Sequence, residues 1–292
     1  MKKLIPTITI EQLNACDSGI KMRVDIRRLE VHKNLLSPAD FPHRHDFYNL
    51  IFITQGSGTH TIDLQEFEVK PNQMYCMNDG QVHSWELSED IEGYTLFFKK
   101  EFYEVIEPKY SLQALPFFNL GANDSSLVEF SDEMAQIVSR LFEEIIREYQ
   151  TNLPDREISI KSYLKLILIN AWRTYMPHEE LDNNDLNVSK VRFFEQLINQ
   201  KFKELKAVKD FADIMHITPN YLNAICTKAV GKTAGQMIRE RVILEAKRLL
   251  LHSSISVCEL AYHLGYEDCS YFIRLFKKEV GTTPEYFRIN QR

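Results

Sequence analysis

Asn220, Asn223 and Thr227 recur at i, i+3 and i+7, and some fifty residues later Ser270, Arg274 and Lys277 take a corresponding place. Asparagine can pair two-pronged with adenine, and threonine can touch a phosphate or a thymine methyl. Arginine can address guanine or a phosphate, and lysine mostly takes phosphate. On one side of a helix, with an apolar stripe opposite to seat it, such residues could read a duplex. Any one of them alone would be ordinary solvated surface; the recurrence carries the weight. A second group is His43, His45 and, thirty-eight residues on, His83. On a regular strand His43, His45 and Asn49 share parity and face one side. Three imidazoles could hold zinc or iron, serve as the polar groups of a pocket, or only support the structure.

The elements that must carry the first group repeat at an offset of 50. Tyr221/Tyr271, Lys228/Lys278, Val230/Val280, Gly231/Gly281 and Thr233/Thr283 are identities, and Leu222/Phe272, Ile225/Leu275 and Cys226/Phe276 keep the apolar stripe. Such self-similarity is one supersecondary unit used twice. Each copy follows a short amphipathic helix: Val208, Phe211, Ala212 and Met215, then Val257, Leu260, Ala261 and Leu264. The small Ala212 and Ala261 let two helices approach closely. Ser256 is an expected N-cap, Gly265 can take the left-handed conformation of a tight turn, and Thr218-Pro219 starts a helix. Helix, turn, helix, twice, is the pattern of a paired helix-turn-helix.

The run LAYHLGYEDCSYFIRLFKKEVGTTPEYFR carries Ala261, Gly265, Tyr271-Phe272, Phe276-Lys277, Gly281, Pro284 and Arg288. With the weaker upstream copy, it resembles the DNA-binding domain of the AraC family of bacterial transcription regulators, over about residues 190 to 288. The resemblance implies seven helices, with a long one from Thr233 to roughly His252 joining the two units. It implies DNA contacts from Asn220, Asn223, Thr227, Lys228, Ser270, Arg274 and Lys277.

Charge is divided along the chain. Residues 189–292 carry 17 Lys+Arg against 11 Asp+Glu, a net +6, while the first 188 carry 18 against 30, a net −12. Phosphate contacts need local cations rather than a basic protein. The length of 292 residues suggests two domains. MPHEELDNNDLNVS, from Met176 to Ser189, is polar and acidic and reads as a linker. The expected division is therefore 1–176, a linker at 177–189, and 190–292. No run approaches the ~20 apolar residues of a membrane span, and MKKLIPTITIEQLN lacks the apolar core of a secretory signal. Five cysteines, an odd count without C-x-x-C, fit a reducing compartment and free thiols. Cys226 and Cys269, in or beside the reading helices, are expected to be ordinary small residues rather than a redox switch.

The first domain alternates β-rich runs with Gly, Pro and Asn-Asp-Gly punctuation, the pattern of an all-β barrel or sandwich. Strands are expected at 48–55, 58–64, 73–77, 83–87 and 93–99. The stretch resembles a cupin, the small jelly-roll barrel that AraC-family proteins often place before their DNA-binding domain, and His43, His45 and His83 fall where cupins carry metal-binding histidines. Metal cupins usually add a glutamate where this chain has Asn49, and a neutral amide is a poorer ligand. We therefore expect a metal-free ligand pocket, without cofactor, built from His43, His45, Asn49, His83, Tyr48 and Trp85. Phe52, Tyr75 and Phe97 are expected to add aromatic walls.

Two helical stretches follow. Phe130, Met134, Ile137, Leu141 and Ile145 make a coiled-coil-like seam, expected either to pack on the barrel or to form a dimer interface. DREISIKSYLKLILINAWRTY is apolar on most sides and expected to be buried. The fold class is multidomain α+β: a cupin-like barrel with following helices, then an all-α double helix-turn-helix domain. The expected function is sequence-specific regulation of transcription, activation on family grounds, controlled by a small molecule in the barrel. The expected partners are double-stranded DNA, the effector, a second copy of the chain and RNA polymerase, in the cytoplasm and without a membrane. Two alternatives stand beside it. One is a regulator without ligand, controlled by abundance or partner; the other, which Asn49 disfavours, is a metal-dependent cupin enzyme.

Overall fold

The computed structural model describes residues 4–14, 23–35, 41–103, 111–112, 115–118, 126–151, 153–175 and 186–291. Residues 6–182 form one compact unit, and 183–292 belong to a second. Of the expected linker, 177–185 lie outside the described residues, and 186–189 already belong to a helix.

The first unit runs β1 (Thr7–Ile8), α1 (Ile10–Asn14), β2 (Val24–Arg28), α2 (Leu29–Leu35), β3 (His43–His45), β4 (Tyr48–Gln55), β5 (Gly58–Ile62), β6 (Gln65–Val69), β7 (Gln73–Met77), β8 (Val82–Leu87), β9 (Glu92–Phe98), β10 (Leu127–Glu129), α3 (Asp132–Gln150) and α4 (Arg156–Tyr175). One sheet has the order β1-β3-β8-β5-β6 and the other β10-β7-β4-β9-β2. Strand alternation gives the second sheet two different faces. Ile51, Ile53, Tyr75 and Met77 meet Ile62, Val69 and Trp85 of the first sheet in the interior of the sandwich. Leu50, Phe52, Met74, Cys76, Leu96 and Phe98 face the other way and form the larger core with α3 and α4.

That larger core corrects the expected helical seam. The buried stripe of α3 is Ala135, Val138, Phe142 and Ile145. Met134 and Leu141 only flank it, and Ile137 is 40% exposed. The helix begins at Ser131, whose hydroxyl accepts from the Met134 N–H. Helix α4 buries Ile160, Leu164, Ile167, Leu168 and Ala171 but leaves Ile158 and Leu166 exposed, so it is one-sided rather than buried all round.

The second unit shows seven helices among its described residues: α5 (Leu186–Lys201), α6 (Val208–Ile214), α7 (Pro219–Val230), α8 (Ala234–His252), α9 (Val257–His263), α10 (Cys269–Val280) and α11 (Pro284–Asn290). The repeat is visible in its stops and starts. Gly231 and Gly281 both end a helix in the left-handed conformation, and Thr233 and Thr283 both cap the next one. Thr218 and Ser256 cap α7 and α9 as expected. Gly265 has φ +82°, and a Cβ there would lie 1.8 Å from the Lys203 carbonyl oxygen, so only glycine fits. The corresponding turn of the first copy holds His216 at φ 54°. Both turns close alike, with Ile217 N–H on the Ala212 carbonyl and Tyr266 N–H on that of Ala261, each at 3.0 Å. Ala212 and Ala261 are fully buried.

Through the middle of this unit, α8 carries a buried ionic cluster. Glu245 accepts from Arg248 at 3.1 Å and Arg241 at 3.3 Å, and Arg241 also donates to Asn199 at 2.9 Å. One expectation on the cysteines is overturned: Cys258 and Cys269 form a disulfide between α9 and α10, with Cα atoms 5.1 Å apart. Cys76 and Cys226 are free and buried.

Candidate ligand site and DNA-reading helices

His43 and His45 lie on β3 and His83 on β8, with His43 directly across from His83 in the ladder. All three are buried, and one ligand-capable atom from each lies within 4.8 Å of the others. His45 Nε2 is 2.8 Å from His83 Nε2, and His83 Nδ1 is 3.0 Å from His60 Nε2. His43 Nδ1 is 2.9 Å from the Phe41 carbonyl. A carbonyl can only accept, so that nitrogen carries the proton and His43 Nε2 is left as an acceptor.

Burial keeps these rings neutral. It pushes His60 down to about 3, and His32, beside the Arg27 guanidinium, also to about 3. His45 and His83 fall well below the ordinary histidine range for the same reason, each further opposed by its neighbouring histidines. His43 is lowered by burial, against which its bond to the Phe41 carbonyl works.

Three of the other expected pocket residues stand differently. The parity argument for Asn49 fails, because the chain leaves β3 at Asp46-Phe47 and Asn49 belongs to β4 of the other sheet. It is nonetheless buried, and its Oδ1 accepts from Thr95 at 3.2 Å. Tyr48 is a correction. It stacks on Phe98, meets Phe118 edge-to-face and packs with the α3–α4 core, on the face opposite the histidines. Phe52 is likewise on that outer face, against Phe130 and Phe142. Trp85 is where it was expected, with ring centroids 5.6 Å from His83 and 5.8 Å from His60. Tyr75 and Phe97 join it, at 4.7 Å from His60 and 6.1 Å from His45.

The sequence reading missed four interior polar groups. His60 alternates with Ile62 along β5, and that parity could have found it. His32 on α2 packs on Trp85 and Phe97. Asp25 and Arg27 form a buried pair at 2.8 Å on β2, and Arg27 also donates to the Leu13 carbonyl at 2.8 Å. A five-residue strand reading VDIRR gives little sequence signal that its charged residues point inward. Several buried atoms have no hydrogen-bond partner: Arg27 Nε, His32 Nδ1, His45 Nδ1 and Asn49 Nδ2.

The histidine set passes a chemical test for a metal. Three uncharged imidazoles are the donors that zinc or another divalent transition metal takes, with Phe41 and His60 fixing two of the rings from behind. Asn49 would add at best a neutral oxygen, already shared with Thr95.

In the second unit, Asn220, Thr227 and Lys228 on α7 and Ser270, Arg274 and Lys277 on α10 are all exposed. Asn223 is different. It is half-buried, and its Oδ1 accepts from the Ala234 N–H, 3.0 Å away at the start of α8. Thr227 Oγ1 donates to the Asn223 carbonyl at 2.9 Å. On α10, the Asp268 carboxylate caps the Ser270 N–H at 2.7 Å and lies 3.9 Å from Arg274.

Residues 37–167 match the family model described as the AraC-like ligand binding domain, and residues 211–290 match a helix-turn-helix domain model. The chain belongs to the AraC family of transcription regulators. Relatives include the HTH-type transcriptional activator RhaS of Enterobacter sp. (strain 638), 22% identical over 262 residues, covering 87% of this chain and 89% of that one. The HTH-type transcriptional activator RhaR of Escherichia coli (strain K12 / MC4100 / BW2952) is 23% identical over 254 residues, covering 84% and 86%. Among solved structures, ToxT of Vibrio cholerae covers 91% of this AraC-family chain and 97% of its own at 12% identity and a TM-score of 0.40. The C-terminal domain of AraT from Geobacillus stearothermophilus covers 37% of this chain and 88% of its own at 24% identity and a TM-score of 0.33. No described helix is long and apolar enough to cross a membrane.

Proposed function

We propose that this AraC-family protein binds double-stranded DNA sequence-specifically through α7 and α10, under the control of a small molecule held between the sheets. The observation that carries the reading is the paired frame: two helices with the same glycine stops, the same threonine caps on the helices that follow, and turns that close alike, each offering base- and phosphate-contacting side chains to solvent. Such helices suit two successive major-groove segments, ~34 Å apart. Its relatives are named activators, and this supports activation, with RNA polymerase as a partner, in the cytoplasm. The expected homodimer would use exposed apolar residues of α3 and α4 such as Ile137 and Leu166. The expected division into 1–176 and 190–292 with a linker between remains part of this reading, with the second domain drawn back to the start of α5 at Leu186.

The effector side rests on the unpartnered atoms. A buried polar atom left without a hydrogen bond costs ~1–3 kcal/mol, and a polar ligand that reaches Arg27 Nε, His32 Nδ1, His45 Nδ1 and Asn49 Nδ2 would recover it. Uncharged imidazoles beside a guanidinium favour a neutral or anionic molecule rich in hydrogen-bonding groups. A binding selection from random duplexes tests the DNA reading. Affinity for the selected site should fall ~10³–10⁵-fold between 50 and 200 mM salt, and equal binding to scrambled duplex would end the proposal.

The convergence of His43, His45 and His83 favours a second reading, in which the same pocket holds a metal. Metal analysis of protein purified without a His-tag separates the two. Stoichiometric zinc or iron, with loss of folding on chelation, supports the metal; indifference to EDTA supports the sensor.

A further inference from the structure

We propose that Cys258 and Cys269 are a reversible oxidation site that orders the second DNA-reading helix. The proposal rests on the DNA-reading role of α10. Cys258 is the second residue of α9 and Cys269 the first of α10, so their bond ties the supporting helix to the start of the reading helix. Their Cα separation of 5.1 Å lies in the range that a disulfide spans without moving the backbone.

The repeat supplies an internal comparison. By its offsets, Lys209 and Pro219 stand in the first unit where Cys258 and Cys269 stand in the second. Helices α6 and α7 pack around Phe211, Ala212 and Leu222 with no such bond. The helix-turn-helix therefore does not require the bridge, and the second unit carries something additional. Cys258 is exposed and Cys269 half-buried, whereas Cys76 and Cys226 are buried. Burial pushes the Cys226 thiol up to about 12 and that of Cys76 well above its ordinary value, which makes both inert. Among the described cysteines only this pair is open to a reagent.

The pinned position is the one that matters for reading. Cys269 directly precedes Ser270, and its other neighbour Asp268 both caps α10 and approaches Arg274. Both α10 residues closest to the helix start are thus held from a point that chemistry can tie or release.

The co-reactant is a low-molecular-weight disulfide. The exposed Cys258 thiolate attacks one of its sulfurs, forming a mixed disulfide and releasing one thiol. The Cys269 thiolate then displaces the second thiol and closes the Cys258–Cys269 bond. Two protein thiols lose two electrons and two protons, and one small disulfide becomes two thiols. A dithiol reverses both steps. In a reducing interior the pair rests open and closes under oxidative load. Closing it removes part of the ordering cost of seating α10 on DNA.

The full-length wild type and Cys258→Ser are equilibrated with reduced or oxidised glutathione and alkylated for peptide mass spectrometry. DNA affinity is measured in parallel on a duplex selected with the reduced wild type. In oxidised glutathione, Cys258 and Cys269 should become protected as a pair and return with dithiothreitol. The oxidised wild type should bind at least threefold tighter than the reduced, and Cys258→Ser should bind equally under both conditions. Continued alkylation of both residues in oxidised glutathione overturns the site, and a closed pair with unchanged affinity overturns its role. If no redox state selects any duplex, the DNA reading fails and takes that role with it, while the alkylation pattern still reports whether the pair closes.

Discussion

Asn223 is joined to Ala234 by a 3.0 Å hydrogen bond from the Ala234 N–H, so the amide that looked best placed to read adenine also fixes α7 to the start of α8. Asn220, one turn earlier and exposed, has no such duty in the described contacts. Asn223→Ala should therefore cost ~1 kcal/mol of stability, as loss of a helix-end acceptor does, and weaken binding to all duplexes alike. Asn220→Ala and Arg274→Ala should each cost ~1–3 kcal/mol on the selected site and relax base preference locally. Repeating the selection with each mutant checks this; an altered base preference for Asn223→Ala alone would reverse the assignment.

Lys228 and Lys277 sit toward the exposed C-terminal halves of their helices and suit phosphate. Replacing either by alanine should lower affinity evenly across sequences and reduce the slope of log K against log salt by ~1. Salt titrations on selected and scrambled duplexes give both numbers.

The two turns predict opposite responses to glycine chemistry. His216 holds a left-handed backbone that costs a side-chain-bearing residue ~1 kcal/mol, so His216→Gly should stabilise the second unit by up to that amount. Gly265→Ala should be severely destabilising, because its Cβ would meet the Lys203 carbonyl at 1.8 Å. Denaturant unfolding followed at both variants reads the two signs directly.

Acid should act on the two units in opposite senses. His32 is held at about 3 when folded, against about 6.5 unfolded, chiefly because it is buried. Its contribution is present above about 6.5 and is lost as pH falls toward 3. Glu195 on α5 is pushed up to about 7 by burial, which Arg192 and Lys232 only partly oppose. Its contribution is present below the ordinary carboxylate range and is lost as pH rises through 7. Thermal melts from pH 4 to 8 should show His32→Phe flattening the acid loss of the first unit. Glu195→Gln should raise the melting temperature of the second unit at pH 8.

Much of this was legible in the residues, where a period and a punctuating residue agreed. Strand β4 and strand β7 lie at the expected 48–55 and 73–77, and the fifty-residue repeat placed α7, α10 and their glycine stops. The misses have separate physical causes. Tyr48 was assigned to the pocket although Asn49 beside it was too, and neighbours on a strand cannot share a face. The α3 stripe was read one position off because Met134, Ile137 and Leu141 are apolar as well, and only packing decides which apolar row turns inward. Asp25 and Arg27 were invisible because a buried ion pair looks in sequence like two surface charges. The Cys258–Cys269 pair was missed because their spacing of eleven follows from a tertiary fold, not from a local motif.

Helix α8 has one more consequence. Its nineteen residues rise ~28 Å, and its buried face of Ile238, Val242, Ala246 and Leu249, together with the Arg241 hydrogen bond to Asn199 of α5, fixes its rotation within the unit. Adding one residue to it would turn everything beyond by ~100°, whereas adding one base pair between two half-sites turns the DNA by only ~35°. The protein is thus a ruler with coarse graduations measuring a finely graduated object. Drift in the spacing of its binding sites cannot be followed by small insertions in the chain, and that spacing is held to a fixed value wherever both helices are used.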